Sequence, residues 1–214
     1  MRLAVEGPMI GLITDGQANA ENFPHSSCRI LDIIRVAVDN RVSFVQIREK
    51  QLSARLLFLL ARDAAAVTGG SNTKLLINDR ADIAAASGAD GVHLTSHSLP
   101  VSDVRAAFGD GMFIGVSTHS IQEVETAAKG GADLAVFGPV FETPGKGEPI
   151  GIHKLKQACL AVIPFPVLAL GGIDGSNFEK VLDAGAAGFA AIRWLNNVRT
   201  LPRTCEAIRR GNVK

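Results

Sequence analysis

The sequence predicts a closed (β/α)8 barrel, the TIM barrel fold, built as a single domain over residues 1–214. Eight short runs rich in apolar and β-branched residues alternate with longer segments of helical spacing, which is typical of a parallel sheet with helical crossovers. An open doubly wound sheet is the alternative, but no GxGxxG motif follows the first run. The predicted strands cover residues 10–14, 42–47, 74–78, 91–94, 113–116, 134–138, 167–170 and 188–192.

The segments between the predicted strands carry two kinds of helical signal. Apolar residues recur at helical spacing over residues 30–38 and 121–129. Glycine follows several of these segments directly before the next strand, and glycine is common just beyond the last turn of a helix. These glycines are Gly69, Gly70, Gly88, Gly130, Gly131 and Gly185.

Composition and charge exclude several classes of protein. The chain has 47% hydrophobic and 20% charged residues, which suits one domain with a large core. A net charge of +1 gives no electrostatic reason to expect a nucleic-acid or membrane partner. We see no secretory start and no run long enough to span a bilayer, and we expect a cytoplasmic protein. The three cysteines form no CxxC pair and are expected to be reduced; they are Cys28, Cys159 and Cys205. A homo-oligomer is also compatible with the sequence.

Polar side chains recur where the predicted strands end. Gln46, Arg48 and Lys50 close the second strand, and Arg48 and Lys50 can both face one anion, which indicates a phosphorylated substrate. In a barrel the carboxyl ends of all strands meet at one face, where ligands bind. The other strand-end residues are Asp15, Asn78, Asp79, His93, Ser117, Thr118, His119, Glu142, Thr143, Lys146, Gly171, Gly172 and Arg193.

Three of these strand ends carry features that suit phosphate. Gly171 and Gly172 precede a helical segment, so their backbone N–H groups could approach a phosphate; a tight turn that needs glycine is the alternative. Arg193 could add a cation to the same group, or it could pair with a surface carboxylate. Lys146 lies in a glycine-bearing loop that could close over a ligand, and a solvated lysine is the alternative.

Two further residues are candidates for chemistry. His119 could act as a general acid or base near neutral pH, or it could be a bystander in a Ser/Thr helix cap. Asp79 could bind Mg²⁺, although the next strand-end turn, residues 94–98, offers no second carboxylate; pairing with Arg80 or helix capping is the alternative. His93 is interpreted as a hydrogen-bonded strand residue, and the remaining histidines, His97 among them, lack metal-ligand spacing.

Taken in order, the strand-end motifs resemble those of the thiamine phosphate synthase/TenI family over nearly the whole chain. The resemblance implies a (β/α)8 barrel that acts on a thiazole phosphate in thiamine biosynthesis. The motifs that carry it lie at residues 12–15, 45–50, 77–79, 88–93, 115–120, 137–141 with Thr143 and Lys146, and 171–173.

The family implies two chemistries. The synthase joins a hydroxymethylpyrimidine diphosphate to thiazole phosphate and releases diphosphate with Mg²⁺, and the resemblance then makes Asp79 the metal ligand. The TenI branch is a thiazole tautomerase that works without metal, and His119 matches its acid/base residue. The substrate-binding residues implied by the resemblance or by their strand-end position are Gln46, Arg48, Lys50, Asn78, Ser117, Thr143, Lys146, Gly171, Gly172 and Arg193.

Departures from the synthase pattern favour the tautomerase as the main interpretation, with no cofactor. Ser98 stands where the synthase has a second metal-binding aspartate, and Arg80 stands where it has another carboxylate. Arg193, followed by Trp194, replaces a phosphate-binding serine. A Mg²⁺-dependent synthase is the alternative, because several synthase residues are retained. A binder of thiazole phosphate without turnover is the third interpretation, and a sugar-phosphate isomerase is a weaker fourth.

Overall fold

Eight parallel strands close into a barrel in the order β1-β2-β3-β4-β5-β6-β7-β8, with β8 paired to β1, so the predicted fold is confirmed. The computed structural model describes residues 7–211. The prediction of one domain over residues 1–214 includes ends that lie outside the described residues. The strands β1–β8 are Met9–Ile13, Phe44–Ile47, Lys74–Asn78, Gly91–Leu94, Phe113–Thr118, Leu134–Phe137, Val167–Leu170 and Gly188–Ala191.

A helix follows each strand, as the alternation predicts. Two serines begin helices by capping: Ser53 accepts a hydrogen bond from the Leu56 N–H, and Ser120 accepts one from the Glu123 N–H. None of the described helices is long and apolar enough to cross a membrane. The helices α1–α8 are Phe23–Asp39, Ala54–Thr68, Ala81–Ser87, Val101–Phe108, Ile121–Lys129, Ile152–Ala161, Phe178–Asp183 and Leu201–Arg210.

The fifth strand is longer than predicted. It continues to Thr118 because Ser117 and Thr118 pair with Val136 and Phe137 of β6. In the sequence, short polar residues after an apolar run indicate a turn. In the structure, the backbones of Ser117 and Thr118 instead continue the pairing of β5 with β6. The extension fixes the direction in which the Ser117 side chain leaves the strand.

Two apolar layers hold the barrel. The larger layer lies between strands and helices and includes Leu12, Val45 and Ile77. The smaller one fills the barrel interior, where Phe44 packs so closely that a Cβ on Gly11 would lie 2.2 Å from its ring. This interior filling supports the floor of the site at the carboxyl ends of the strands. Its buried members are Met9, Ile13, Phe44, Leu76, Phe113, Leu134, Val136, Leu168 and Ala190.

The three cysteines take no part in that site. Cys28 is exposed, whereas Cys159 and Cys205 are buried, and all three are free. Burial raises the pKa of both buried thiols to about 11, so they remain protonated and unreactive at neutral pH.

Candidate functional site

One cavity of about 790 Å³ opens at the carboxyl ends of the strands. Its size suits a substrate-binding site. Asp79 is the one residue assigned a catalytic, binding or metal role that does not line it, and the strand-end residues Asp15 and Thr118 also lie outside the lining. The candidates that line the cavity are Gln46, Arg48, Lys50, Asn78, Ser117, His119, Thr143, Lys146, Gly171, Gly172 and Arg193.

Four cationic side chains face this cavity. Arg48 is half-buried and follows β2, where its backbone N–H donates to Thr14 Oγ1 at 2.8 Å; Lys50, Lys146 and Arg193 are exposed. Among residues 7–211, none of the four forms a salt bridge with a carboxylate. The surface-pair alternative for Arg193 therefore finds no partner in that range. Unpaired cations around one concave surface attract an anionic ligand.

Glu49 lies between two of these cations in the sequence but points away from the cavity. Its side chain is buried, and its carboxylate accepts hydrogen bonds from the Gly16 N–H at 3.1 Å and the Ala18 N–H at 2.8 Å. These bonds hold the loop between β1 and α1 against the end of β2. The sequence analysis gave Glu49 no role. The available signal was its position between Arg48 and Lys50: because both of these side chains face the cavity, alternation along the chain places Glu49 on the opposite side.

Asp15 also serves the structure rather than the cavity lining. Arg29 of α1 donates two hydrogen bonds to its carboxylate, at 2.8 and 2.9 Å. This fork fixes the first helix to the end of β1. The strand-end position of Asp15 predicted that it lies in the site, whereas its side chain binds Arg29 and does not line the cavity.

Two polar pairs form the floor of the cavity. The Gln46 amide nitrogen donates to Asn78 Oδ1 at 2.9 Å, and the Gln46 Oε1 is buried with no partner in the described part of the chain. His93 is 2% exposed, as expected of a strand residue, and its Nε2 lies 2.8 Å from Ser117 Oγ. Burial, and secondly the charge of Arg48, lower the His93 pKa to about 4. The His93 imidazole is therefore neutral at physiological pH.

His119 follows β5 and lies at the cavity with one nitrogen free. Its Nδ1 is 2.5 Å from the carbonyl oxygen of Gly138, and because a carbonyl only accepts, Nδ1 carries the proton. In the neutral form of the ring, Nε2 then holds the lone pair and can act as a base. The helix cap that was the alternative role for this segment is provided by Ser120, which caps α5.

Gly171 and Gly172 are required by close packing of two loops. Both have positive φ, 98° and 64°, and a Cβ on Gly172 would lie 2.5 Å from the carbonyl oxygen of Glu142. The Phe141 N–H donates to the Gly171 carbonyl at 3.1 Å, which ties the loop after β6 to the loop after β7. The tight-turn alternative thus accounts for the glycines, and their position on the cavity wall leaves the phosphate role as a prediction.

Asp79 is placed poorly for holding a metal ion. It is exposed, has a φ of 58°, and accepts a hydrogen bond from the Ser98 hydroxyl. Arg80 pairs with Asp82 instead of Asp79, and this bond raises the pKa of Arg80 and lowers that of Asp82. Within residues 7–211 there is no group of three or more His, Cys, Asp or Glu that could hold a metal ion. A single exposed carboxylate fits a protein-held Mg²⁺ badly.

Trp194 forms an aromatic wall that the sequence analysis did not assign. It lines the cavity beside Arg193, and its indole stacks on Phe189 with ring centroids 5.5 Å apart and planes at 26°. Phe178 of α7 packs on the same indole at 5.9 Å. These two contacts fix the orientation of the tryptophan side chain.

Comparison with known proteins gives a consistent result across the barrel. A family model described as thiamine monophosphate synthase matches residues 11–195. A "Putative thiamine-phosphate synthase" of Geobacter sulfurreducens is 46% identical over 166 residues, 76% of this chain and 78% of the relative. A "Thiamine-phosphate synthase" of Halalkalibacterium halodurans is 36% identical over 185 residues, 85% of this chain and 87% of the relative.

A solved structure agrees with these relatives. A "Thiamine phosphate pyrophosphorylase from Pyrococcus furiosus" superposes with a TM-score of 0.76 at 26% identity, covering 94% of this chain and 96% of the other. Barrels with other names also match, among them "Native KDPGal structure" at a TM-score of 0.65, and at 19% identity this likeness concerns the fold alone.

Proposed function

The chain belongs to the thiamine monophosphate synthase family of thiamine biosynthesis, and on that premise we propose that it joins a thiazole phosphate to hydroxymethylpyrimidine diphosphate. The names of the relatives support this synthase activity, our alternative interpretation, better than the tautomerase that we put first. The observation that carries the proposal is the set of four cations around one cavity, none of which forms a salt bridge within residues 7–211. Two phosphorylated substrates carry more negative charge than one, so a synthase has more use for four cations than an enzyme with a single phosphorylated substrate.

We assign the cations to two anions by their place in the barrel. Arg48 and Lys50 follow β2, and we assign them, together with Lys146 in the loop after β6, to the diphosphate. Arg193 follows β8, beside the Gly171–Gly172 turn after β7, and this group is assigned to the phosphate of the thiazole.

In this reaction the thiazole nitrogen forms a bond to the methylene carbon of the pyrimidine. The bond from that carbon to the diphosphate oxygen breaks, and the electron pair leaves with the diphosphate. Arg48, Lys50 and Lys146 stabilise the charge that develops on the leaving group, because preorganised cations act where charge forms. Gln46 contacts the pyrimidine, held in place by its hydrogen bond to Asn78.

No step of this scheme is assigned to Mg²⁺. The only carboxylate at the expected place is Asp79, which is exposed and bound to Ser98, so the residues present fit a resident dication poorly. Any requirement for Mg²⁺ would then come with the diphosphate substrate.

The test is formation of thiamine phosphate by the purified protein, with Mg²⁺ or with a chelator. We expect the wild type to form thiamine phosphate. Arg48→Ala or Lys146→Ala should lower kcat/KM by at least about tenfold, since each removes a charge-assisted contact to the diphosphate. Lys156→Ala is the matched control, because Lys156 is exposed on α6 and outside the cavity. No product from the wild type under either condition would refute the synthase proposal.

A thiazole tautomerase is the second candidate, and His119 is the observation that favours it. Its free Nε2 can take a ring proton and return it, a task that requires no metal. Aromatisation of a thiazole phosphate tautomer, followed by proton NMR, tests this activity. Binding of thiazole phosphate without either turnover would support the third interpretation, a binder.

A further inference from the structure

His93 of β4 is buried and forms a hydrogen-bonded pair with Ser117 of β5. His93 Nε2 lies 2.8 Å from Ser117 Oγ, whereas its Nδ1 is buried and has no hydrogen-bond partner within residues 7–211. Ser117 is half-buried and lines the cavity. The pair therefore connects the barrel interior to the surface that a ligand would touch.

The surroundings of Nδ1 decide which nitrogen carries the proton. A Cβ on Gly115 would lie only 2.9 Å from Nδ1, so this buried atom packs against the backbone of β5. A proton on Nδ1 would bury an N–H donor without an acceptor, which is rare and costly. A bare lone pair at Nδ1 is the less costly choice.

The imidazolium form, which would place N–H groups at both nitrogens, is absent at neutral pH. Burial and the nearby Arg48 charge hold the His93 pKa at about 4. A single proton on Nε2 therefore remains, and it points at the Ser117 hydroxyl oxygen.

We propose that His93 is a positioning residue whose Nε2–H donates to Ser117 Oγ and so turns the Ser117 hydroxyl hydrogen into the cavity. Ser117 then recognises a ligand atom that accepts a hydrogen bond, either an oxygen of the diphosphate or an acceptor atom of the thiazole phosphate. The nature of the ligand rests on the proposed function, whereas the proton position does not.

The proton position is tested first, without ligand. Long-range proton–nitrogen NMR of the histidine-labelled full chain at pH 7 distinguishes the two tautomers, and His93→Gln identifies the His93 signals by their loss. We expect a protonated Nε2 and a bare Nδ1. A proton on Nδ1, or on both nitrogens, overturns the proposal whatever reaction the protein performs.

The role of Ser117 is tested by calorimetry with inorganic diphosphate and with thiazole phosphate. Ser117→Ala should weaken one of the two by roughly fivefold to tenfold, the effect of one lost hydrogen bond. The affected probe identifies the acceptor as diphosphate or thiazole. If both affinities are unchanged, the proposal is wrong; if the wild type binds neither probe, the proposed function fails with it.

The coupling between the residues is tested with two His93 variants. His93→Gln keeps an N–H near the position of Nε2, whereas His93→Met has similar volume and no donor. We expect His93→Met to weaken binding like Ser117→Ala, His93→Gln to retain most of it, and His93→Met to add little in the Ser117→Ala background. Additive losses, or no rescue by Gln, would refute a role that acts through Ser117.

Discussion

Replacement of Glu49 should reveal how strongly one buried carboxylate holds the loop between β1 and α1. Glu49→Ala removes the acceptor for the Gly16 and Ala18 N–H groups, which lie 3.1 and 2.8 Å from its oxygens. Hydrogen bonds to a charged group contribute about 1.5–3 kcal/mol each, so we expect the two lost bonds to lower the free energy of unfolding by roughly 3–6 kcal/mol. Glu49→Gln retains one acceptor and should lose about half of that.

Urea denaturation measures the loss, and amide hydrogen exchange locates it. Glu148→Ala is the matched control, because Glu148 is exposed and forms no salt bridge within residues 7–211; it should change stability by less than about 0.5 kcal/mol. The Gly16 and Ala18 amides should exchange faster in Glu49→Ala. A loss below about 1 kcal/mol with both amides still protected would refute the reasoning, since unsatisfied buried donors are costly.

Four further predictions concern the cavity. Ser98→Asp places a second carboxylate beside Asp79 and should raise Mg²⁺-dependent thiamine phosphate formation roughly tenfold. No change would contradict the interpretation that Ser98, in place of an aspartate, weakens metal binding. His119→Asn should lower any tautomerase turnover roughly a hundredfold by NMR, and unchanged turnover would exclude an acid/base role. Gly172→Ala, at a φ of 64°, should destabilise the protein by about 1–3 kcal/mol and weaken phosphate binding, and full stability by urea denaturation would contradict the packing argument. Since burial lowers the His93 pKa from 6.5 to about 4, the unfolded chain binds its proton first, and stability should fall by roughly 3 kcal/mol as pH drops from 6.5 to 4; His93→Gln should lack this part of the loss.

The barrel could be predicted because its signals are local. Alternating runs and the glycines after helices depend on neighbouring residues, and the structure reproduces both. The strand ends could also be placed on one face, since a closed parallel barrel leaves no other arrangement. Most candidate residues therefore line the cavity without any knowledge of their contacts.

Two features of the site depend on contacts between distant segments and were not predicted. Asp79 was placed in the site by its strand-end position, but its side chain meets the Ser98 hydroxyl outside the cavity lining. Glu49 received no role from the sequence, because its two partners lie in a loop more than thirty positions earlier. Its burial depends on that loop and cannot be read from the residues beside it.

The stacked Trp194 gives this protein a built-in optical probe. It is the single tryptophan of a chain that has no tyrosine, so near-ultraviolet emission comes almost entirely from one side chain on the cavity wall. Because Phe189 and Phe178 fix its indole, a ligand that enters the cavity changes the polarity around one well-defined fluorophore. A ligand that binds in this cavity can then be followed in real time by tryptophan fluorescence on the unlabelled protein.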